Sequence, residues 1–131
     1  MSLAPRGDLV ELFQNVVDIE SVSGNETRLA DAVERALIGL DHLAVVRDGD
    51  TVIARTELAR TQRVVIAGHL DTVPVAANLP SRLVDGVVHG RGTVDMKGGV
   101  AVMLQVAALA AAPTRDITWI FYDHEEVAAV D

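Results

Sequence analysis

The chain has 131 residues, half of them apolar, which is enough for one domain with a hydrophobic core. Nineteen acidic and eleven basic residues give a net charge of −8, which disfavours a nucleic-acid partner because a phosphate backbone attracts positive charge. There is no cysteine for disulfides or thiolate metal sites, and the longest apolar run, 100–112, is too short to cross a bilayer, so we expect a soluble, cytoplasmic protein.

Two helices are predicted at the start of the chain. Apolar residues at helical spacing, together with Asp8 and Glu11 as a capping box, predict a first helix over residues 8–18. Ser23 and Glu26 have the same spacing and predict a second capping box, followed by a helix that ends near Gly39. The predicted inner face of this second helix consists of Leu29, Val33, Ala36, Leu37 and Leu40.

Short β-branched runs predict the strands. Residues 43–47 and 51–55 flank a glycine-containing turn and predict an antiparallel hairpin. Residues 64–67 and 117–122 predict two further strands, and residues 83–90 predict a short second hairpin. The alternation of helices and strands indicates an α/β fold.

The run from Val100 to Ala112 is apolar except for Gln105 and is followed by Pro113, which predicts a helix that is hydrophobic on every side. Such a helix is buried on all sides, and a domain of this size offers little to cover it. Residues 127–131 look like the beginning of a further segment. We therefore expect residues 1–131 to be the incomplete N-terminal portion of the catalytic domain of a longer enzyme.

Three polar motifs lie beside the predicted strands, at 68–74, 90–99 and 123–126. The first delivers His69 and Asp71 on one face of an extended segment, because side chains two residues apart share a face. Open α/β sheets bind ligands outside the carboxyl ends of their strands. Imidazole and carboxylate are good zinc ligands, so these motifs indicate a metal-dependent hydrolase.

Each motif alone has a simpler interpretation. His-x-Asp can be a solvated strand end, an acid among glycines can be a turn former, and paired glutamates are favoured at a helix N-terminus. Only their occurrence together, in this order, argues for a catalytic site.

Gly-His-Leu-Asp-Thr-Val-Pro (68–74), Gly-Arg-Gly-Thr-Val-Asp-Met-Lys-Gly-Gly (90–99) and a strand ending in Glu-Glu (125–126) resemble a known family. This family comprises the dinuclear-zinc amidohydrolases and peptidases, which include succinyl-diaminopimelate desuccinylase, acetylornithine deacetylase and carboxypeptidase G. Residues 71–82 and 121–126 look most like the actinobacterial desuccinylases. The resemblance implies a zinc-aminopeptidase-like catalytic domain with a mixed β-sheet flanked by helices, and a separate lid domain, absent from this chain, that forms a homodimer.

The resemblance also implies a role for each site residue. His69 would bind one zinc ion, Glu126 the other, and Asp95 would bridge the two; Co²⁺ is a possible substitute. Glu125 would be the general base, and Asp71 would hydrogen-bond the imidazole of His69. In an extended backbone Glu125 and Glu126 would point to opposite sides, which would separate base from ligand.

Four further residues have weaker assignments. Strand parity would place His124 on the side of Glu126, but the family has no ligand there, so we expect a surface or supporting role. Arg82 is a candidate for binding a substrate carboxylate. Arg91 and Lys97 flank Asp95 and could attract an anionic substrate, order the loop, or be purely structural.

The implied reaction is hydrolysis of an N-acyl amide of a small amino acid. The first expectation is N-succinyl-LL-2,6-diaminopimelate, cleaved to succinate and LL-2,6-diaminopimelate in the synthesis of lysine and of a cell-wall precursor. Deacetylation of acetylornithine, aminoacylase activity and dipeptidase activity remain alternatives. A non-catalytic fragment or binding module is a further alternative, because the resemblance places two more metal ligands outside the chain.

Overall fold

A computed structural model describes residues 2–127. Within this range, three helices, six strands and one wide helical turn follow each other. In order they are α1 (Leu9–Asp18), α2 (Thr27–Ile38), β1 (Ala44–Asp48), β2 (Thr51–Arg55), β3 (Arg63–His69), β4 (Arg82–Val84), β5 (Val87–His89), the wide turn Thr93–Lys97, α3 (Gly98–Leu109) and β6 (Asp116–Tyr122).

The main sheet has the strand order β1-β2-β6-β3 and is mixed. β1 pairs with β2 and β2 with β6 in antiparallel fashion, whereas β3 and β6 are parallel. The predicted α/β fold with a mixed sheet is therefore confirmed. The parallel pairing places the carboxyl ends of β3 and β6 side by side, with His69 opposite Tyr122.

The core lies between one face of this sheet and the helices. α2 packs on β1 and β2, and α3 packs on β3 and β6. Trp119 and Phe121 of β6 are fully buried on this face. Removing their large apolar surfaces from water stabilises the packing of the helices on the sheet. On the opposite face Val46 is 47% exposed and Val65 is 59% exposed.

The first predicted capping box is confirmed in part, and the second is wrong. The carboxylate of Asp8 accepts a hydrogen bond of 2.9 Å from the Glu11 amide at the start of α1. At the start of α2 the Ser23 hydroxyl donates to Asp71, and Glu26 accepts from the Gly24 amide. Ser23 thus donates to a buried, charged carboxylate, which makes a stronger hydrogen bond than the neutral one a capping serine would accept from a helix amide.

Helix α3 is shorter than the sequence predicts. It ends at Leu109, four residues before Pro113, and residues 110–112 leave the helical path. As expected for an apolar helix in a domain with little to cover it, one side of α3 is exposed: Val102, Val106 and Leu109 are 48%, 38% and 71% exposed. None of the helices in the described range has the length and hydrophobicity needed to cross a membrane. The further segment predicted at residues 127–131 falls almost entirely outside the described residues.

Candidate metal centre

Three side chains from separate parts of the chain meet beside the carboxyl ends of β3 and β6. His69 is the last residue of β3, Asp95 lies in the wide turn before α3, and Glu126 follows β6. One ligand atom from each lies within 4.8 Å of the other two. His69 Nε2 is 2.8 Å from Asp95 Oδ1 and 3.8 Å from Glu126 Oε1. The structure thus brings together all three residues predicted from the sequence as metal ligands.

The position of His69 depends on the glycine before it. A Cβ atom at Gly68 would lie 2.7 Å from Met103 Sδ and 2.8 Å from Met96 Cε, so any larger residue would displace the ends of these two side chains. The His69 side chain is 5% exposed. Its Nδ1 lies 2.9 Å from the main-chain oxygen of Asp71, which leaves Nε2 facing the two acids.

Asp71 acts mainly on the main chain of the neighbouring segments. Its carboxylate is 3.4 Å from His69 Nδ1, so the nearest partner of the imidazole is the Asp71 carbonyl and not, as the resemblance implied, the carboxylate. The carboxylate oxygens accept hydrogen bonds from the Glu125 amide at 3.0 Å, the Glu126 amide at 2.9 Å and the Ser23 hydroxyl at 2.5 Å. Burial disfavours its charge, but these hydrogen bonds outweigh burial and lower the pKa of Asp71.

The prediction that Glu125 and Glu126 lie in extended backbone is wrong. β6 ends at Tyr122, and the two glutamates form a turn because both of their amides bind the Asp71 carboxylate. The turn still separates the two side chains. Glu126 joins His69 and Asp95, whereas Glu125 is exposed beside the Tyr122 hydroxyl, where burial and then this carboxylate raise the pKa of Tyr122.

The loop that carries Asp95 is fixed at both ends. Gly92 has a φ of +80°, a conformation that favours glycine, and a Cβ there would lie 2.6 Å from Thr72 Cγ2. Lys97 is buried, and its ammonium donates to the main-chain oxygen of Ile19 at 2.6 Å, just beyond the end of α1. Burial lowers the pKa of Lys97 to about 8. Lys97 therefore anchors the loop and does not face a substrate.

The charges of the cluster favour a bound cation. The hydrogen bond with His69, followed by the one with Glu126, lowers the pKa of Asp95. In return, the hydrogen bond with Asp95 raises the pKa of Glu126. Burial opposes the charged form of His69, but the hydrogen bonds with Asp95 and with the Asp71 carbonyl, together with the charges of both acids, outweigh burial and raise the pKa of His69. Two carboxylates beside one imidazole are a donor set that suits zinc.

Comparison with protein families identifies the chain. The family model of peptidase family M20/M25/M40 matches residues 65–130, just over half of the chain. This range includes His69, Asp95 and Glu126. The chain belongs to peptidase family M20/M25/M40. The family predicted from the three motifs is confirmed, and M20 metallopeptidases are metal-dependent.

Named relatives of this M20 chain include desuccinylases. It is 52% identical over 123 residues to a candidate succinyl-diaminopimelate desuccinylase, DapE, of Mycobacterium tuberculosis, covering 93% of this chain and 35% of that protein. It is 49% identical over 127 residues to the succinyl-diaminopimelate desuccinylase of Corynebacterium glutamicum, covering 93% and 34%. The chain therefore spans about a third of the length of these relatives.

A solved M20 structure shares the fold. The M20 family metallo-carboxypeptidase Sso-CP2 of Sulfolobus solfataricus superposes with a TM-score of 0.82 at 14% identity, covering 92% of this chain and 31% of that one. At that identity the similarity supports the architecture alone, including the mixed sheet with its flanking helices.

A cavity opens beside the three candidate metal ligands of this M20 chain. Asp95 and Glu126 line it together with Thr72, Val73 and residues 90–94. Arg91 is in this lining, and its Nε is buried without a hydrogen-bond partner among the described residues. Arg82 lines a different cavity, with Asn78 and His89, so its predicted role in substrate binding stays a prediction.

Sequence reasoning missed the contact that Ser23 makes with Asp71. The two residues are 48 positions apart, and the Ser23–Glu26 spacing has a ready explanation as a helix cap. No local pattern distinguishes a serine that caps a helix from one that supports a distant carboxylate.

Proposed function

We propose that the chain supplies the reaction centre of a divalent-metal amidohydrolase that cleaves N-acyl amides, with N-succinyl-LL-2,6-diaminopimelate as the first candidate substrate. The observation that carries the proposal is the convergence of His69, Asp95 and Glu126, with the exposed Glu125 next to Glu126 in the same turn. The names of the relatives at 52% and 49% identity support the choice of substrate. The products would be succinate and LL-2,6-diaminopimelate.

His69, Asp95 and Glu126 would hold the metal. Asp95 is the candidate for the bridging ligand, because its carboxylate hydrogen-bonds both His69, at 2.8 Å, and Glu126. Two zinc ions, or Co²⁺ in their place, would lower the pKa of the attacking water and polarise the scissile carbonyl.

Glu125 would move the proton. Its carboxylate is exposed, and its amide is bound to Asp71, so the base is held next to Glu126 without being a member of the cluster itself. It would take a proton from the attacking water and later deliver it to the leaving amine.

Arg91 would bind an anionic end of the substrate. Its guanidinium lines the same cavity as Asp95 and Glu126 and has an unused, buried Nε. Guanidinium groups bind carboxylates through paired hydrogen bonds. A dicarboxylic acyl group such as succinyl offers a free carboxylate for this contact.

The test separates the two adjacent glutamates. Because the chain spans about a third of the length of its relatives, the assay uses a polypeptide of full family length that carries this segment. Glu125→Gln should keep its metal and lose about 10²–10⁴-fold in kcat, the usual contribution of a general base. Glu126→Gln should lose metal. Metal content by mass spectrometry and amine release from succinyl- and acetyl-amino acids are the measurements.

The matched control is Glu57→Gln, which alters an exposed glutamate that pairs with Arg55 at the surface. It should leave both metal content and rate unchanged. Equal loss of metal from Glu125→Gln and Glu126→Gln would refute the division of roles. A preference for acetyl over succinyl substrates would redirect the proposal to a deacetylase.

A further inference from the structure

A second cluster of potential metal ligands lies outside the His69 centre. Glu26 precedes α2, and Asp123 and His124 follow β6. One ligand atom from each of the three lies within 4.8 Å of the other two. We propose that Glu26, Asp123 and His124 form a separate binding site for one divalent cation of the zinc kind.

The carboxylate of Glu26 is the main evidence. Glu26 is completely buried, and its Oε1 accepts a hydrogen bond of 3.0 Å from the Gly24 amide. Its Oε2 is buried without any hydrogen-bond partner, and within residues 2–127 neither lysine nor arginine forms an ion pair with it. A buried carboxylate oxygen without a partner is unfavourable, and a cation at this position would remove the penalty.

The three ligand atoms lie near the spacing that a bound ion requires. His124 Nδ1 lies 2.9 Å from Asp123 Oδ2, but neither side chain forms a hydrogen bond or ion pair with Glu26. Ligands about 2.0–2.1 Å from a tetrahedral zinc ion are about 3.3–3.5 Å apart, so atoms within 4.8 Å need only small rotations. One imidazole and two carboxylates are suitable donors.

The site is accessible, and one of its ligands is oriented in advance. The side chains of Asp123 and His124 are 25% and 54% exposed, so an ion can enter from solvent. The other oxygen of Asp123, Oδ1, accepts a hydrogen bond of 3.2 Å from the Thr51 hydroxyl. This contact leaves Oδ2 on the side of His124.

A cation here would link the two segments that hold Asp71. Ser23, three residues before Glu26, donates its hydroxyl to the Asp71 carboxylate. Glu125 and Glu126, directly after His124, donate their amides to the same carboxylate. The ion would therefore have a structural role, because it would restrain the surroundings of Asp71. The proposal of this site does not depend on the proposed reaction.

The test is a zinc titration by calorimetry on this chain. His124→Asn should bind one zinc ion fewer, or bind that ion at least about 10-fold more weakly, since loss of even a supporting residue commonly lowers metal affinity 10–100-fold. Because His124 is largely exposed, this variant should still fold. His89→Asn is the matched control, since His89 is exposed on β5 and lies outside both clusters.

Two further measurements isolate the site. In His69→Ala, which removes a ligand of the other centre, the ion at Glu26 should still bind, and adding Glu26→Gln should abolish it. In nuclear magnetic resonance spectra, zinc should shift the ring signals of His124 but not those of His89. Equal zinc stoichiometry and affinity in wild type and His124→Asn would overturn the proposal. Unmoved His124 ring signals would also overturn it and leave a plain ion pair with Asp123.

Discussion

Asp71 shows how one buried residue can organise a site without touching the proposed metal. Its carboxylate accepts three hydrogen bonds, from the Ser23 hydroxyl and from the amides of Glu125 and Glu126. Its carbonyl oxygen faces the Nδ1 of His69. The proposed base and two of the proposed ligands are thus positioned through a single residue.

Asp71→Asn should lower kcat by about 10–100-fold while the metal content is retained. With its oxygen toward Ser23 and the Glu126 amide, the asparagine would turn its NH₂ group toward the Glu125 amide, so Glu125 should shift while Glu126 stays in place. The measurement is kcat with metal content in a polypeptide of full family length. Asp41→Asn, in an exposed loop, is the control. Normal turnover with a full complement of metal would rule out the positioning role.

At the scale of elements, Asp116 joins the start of β6 to the connection between β2 and β3. Its buried carboxylate accepts hydrogen bonds from the Thr56 hydroxyl at 2.7 Å and from the amides of Leu58 and Arg60, both at 2.8 Å. The bond from Thr56, followed by those from the two amides, lowers the pKa of Asp116 from 3.8 to about 2. These contacts stabilise the ionised form.

The lowered pKa gives a pH-dependent contribution to stability. Because the pKa of Asp116 is lower in the folded state than the unfolded value of 3.8, its stabilisation is complete above that value. It should be lost as the pH falls from about 4 to about 2. Asp116→Asn should therefore lower Tm most at pH 6 to 7, and the difference from wild type should shrink toward pH 2. Thermal unfolding followed by circular dichroism measures both curves. A Tm difference that does not change with pH would contradict this account.

At the scale of the whole molecule, the sequence predicts what is local and misses what is long-range. The strands, the first helix and the three candidate metal ligands follow from spacing and strand ends, because each is encoded within a few positions. The contact between Ser23 and Asp71 and the turn at Glu125 do not follow, because they depend on segments about 50 residues apart. The early end of α3 also escaped prediction, since its apolar run carries no polar end signal before Pro113.

The number of ligands decides what this chain can do alone. If two zinc ions share Asp95, each has one further protein ligand, His69 or Glu126, whereas catalytic zinc usually has three. We therefore expect the 131-residue chain to bind zinc at this centre at least about 10–100-fold more weakly than a polypeptide of full family length, and not to hydrolyse N-succinyl-diaminopimelate.

The control is His124→Asn in both the 131-residue chain and the polypeptide of full family length. It removes the proposed ion at Glu26, so that calorimetry reports the His69 centre alone.

The exposed apolar stripe of Val102, Val106 and Leu109 on α3 should also make the 131-residue chain self-associate, which sedimentation would detect as a rise in mass with concentration. Replacing Val106 with threonine should weaken this association without changing zinc affinity, because α3 carries none of the proposed ligands. Two tightly bound zinc ions in an active monomer of 131 residues would show instead that these residues contain a complete centre.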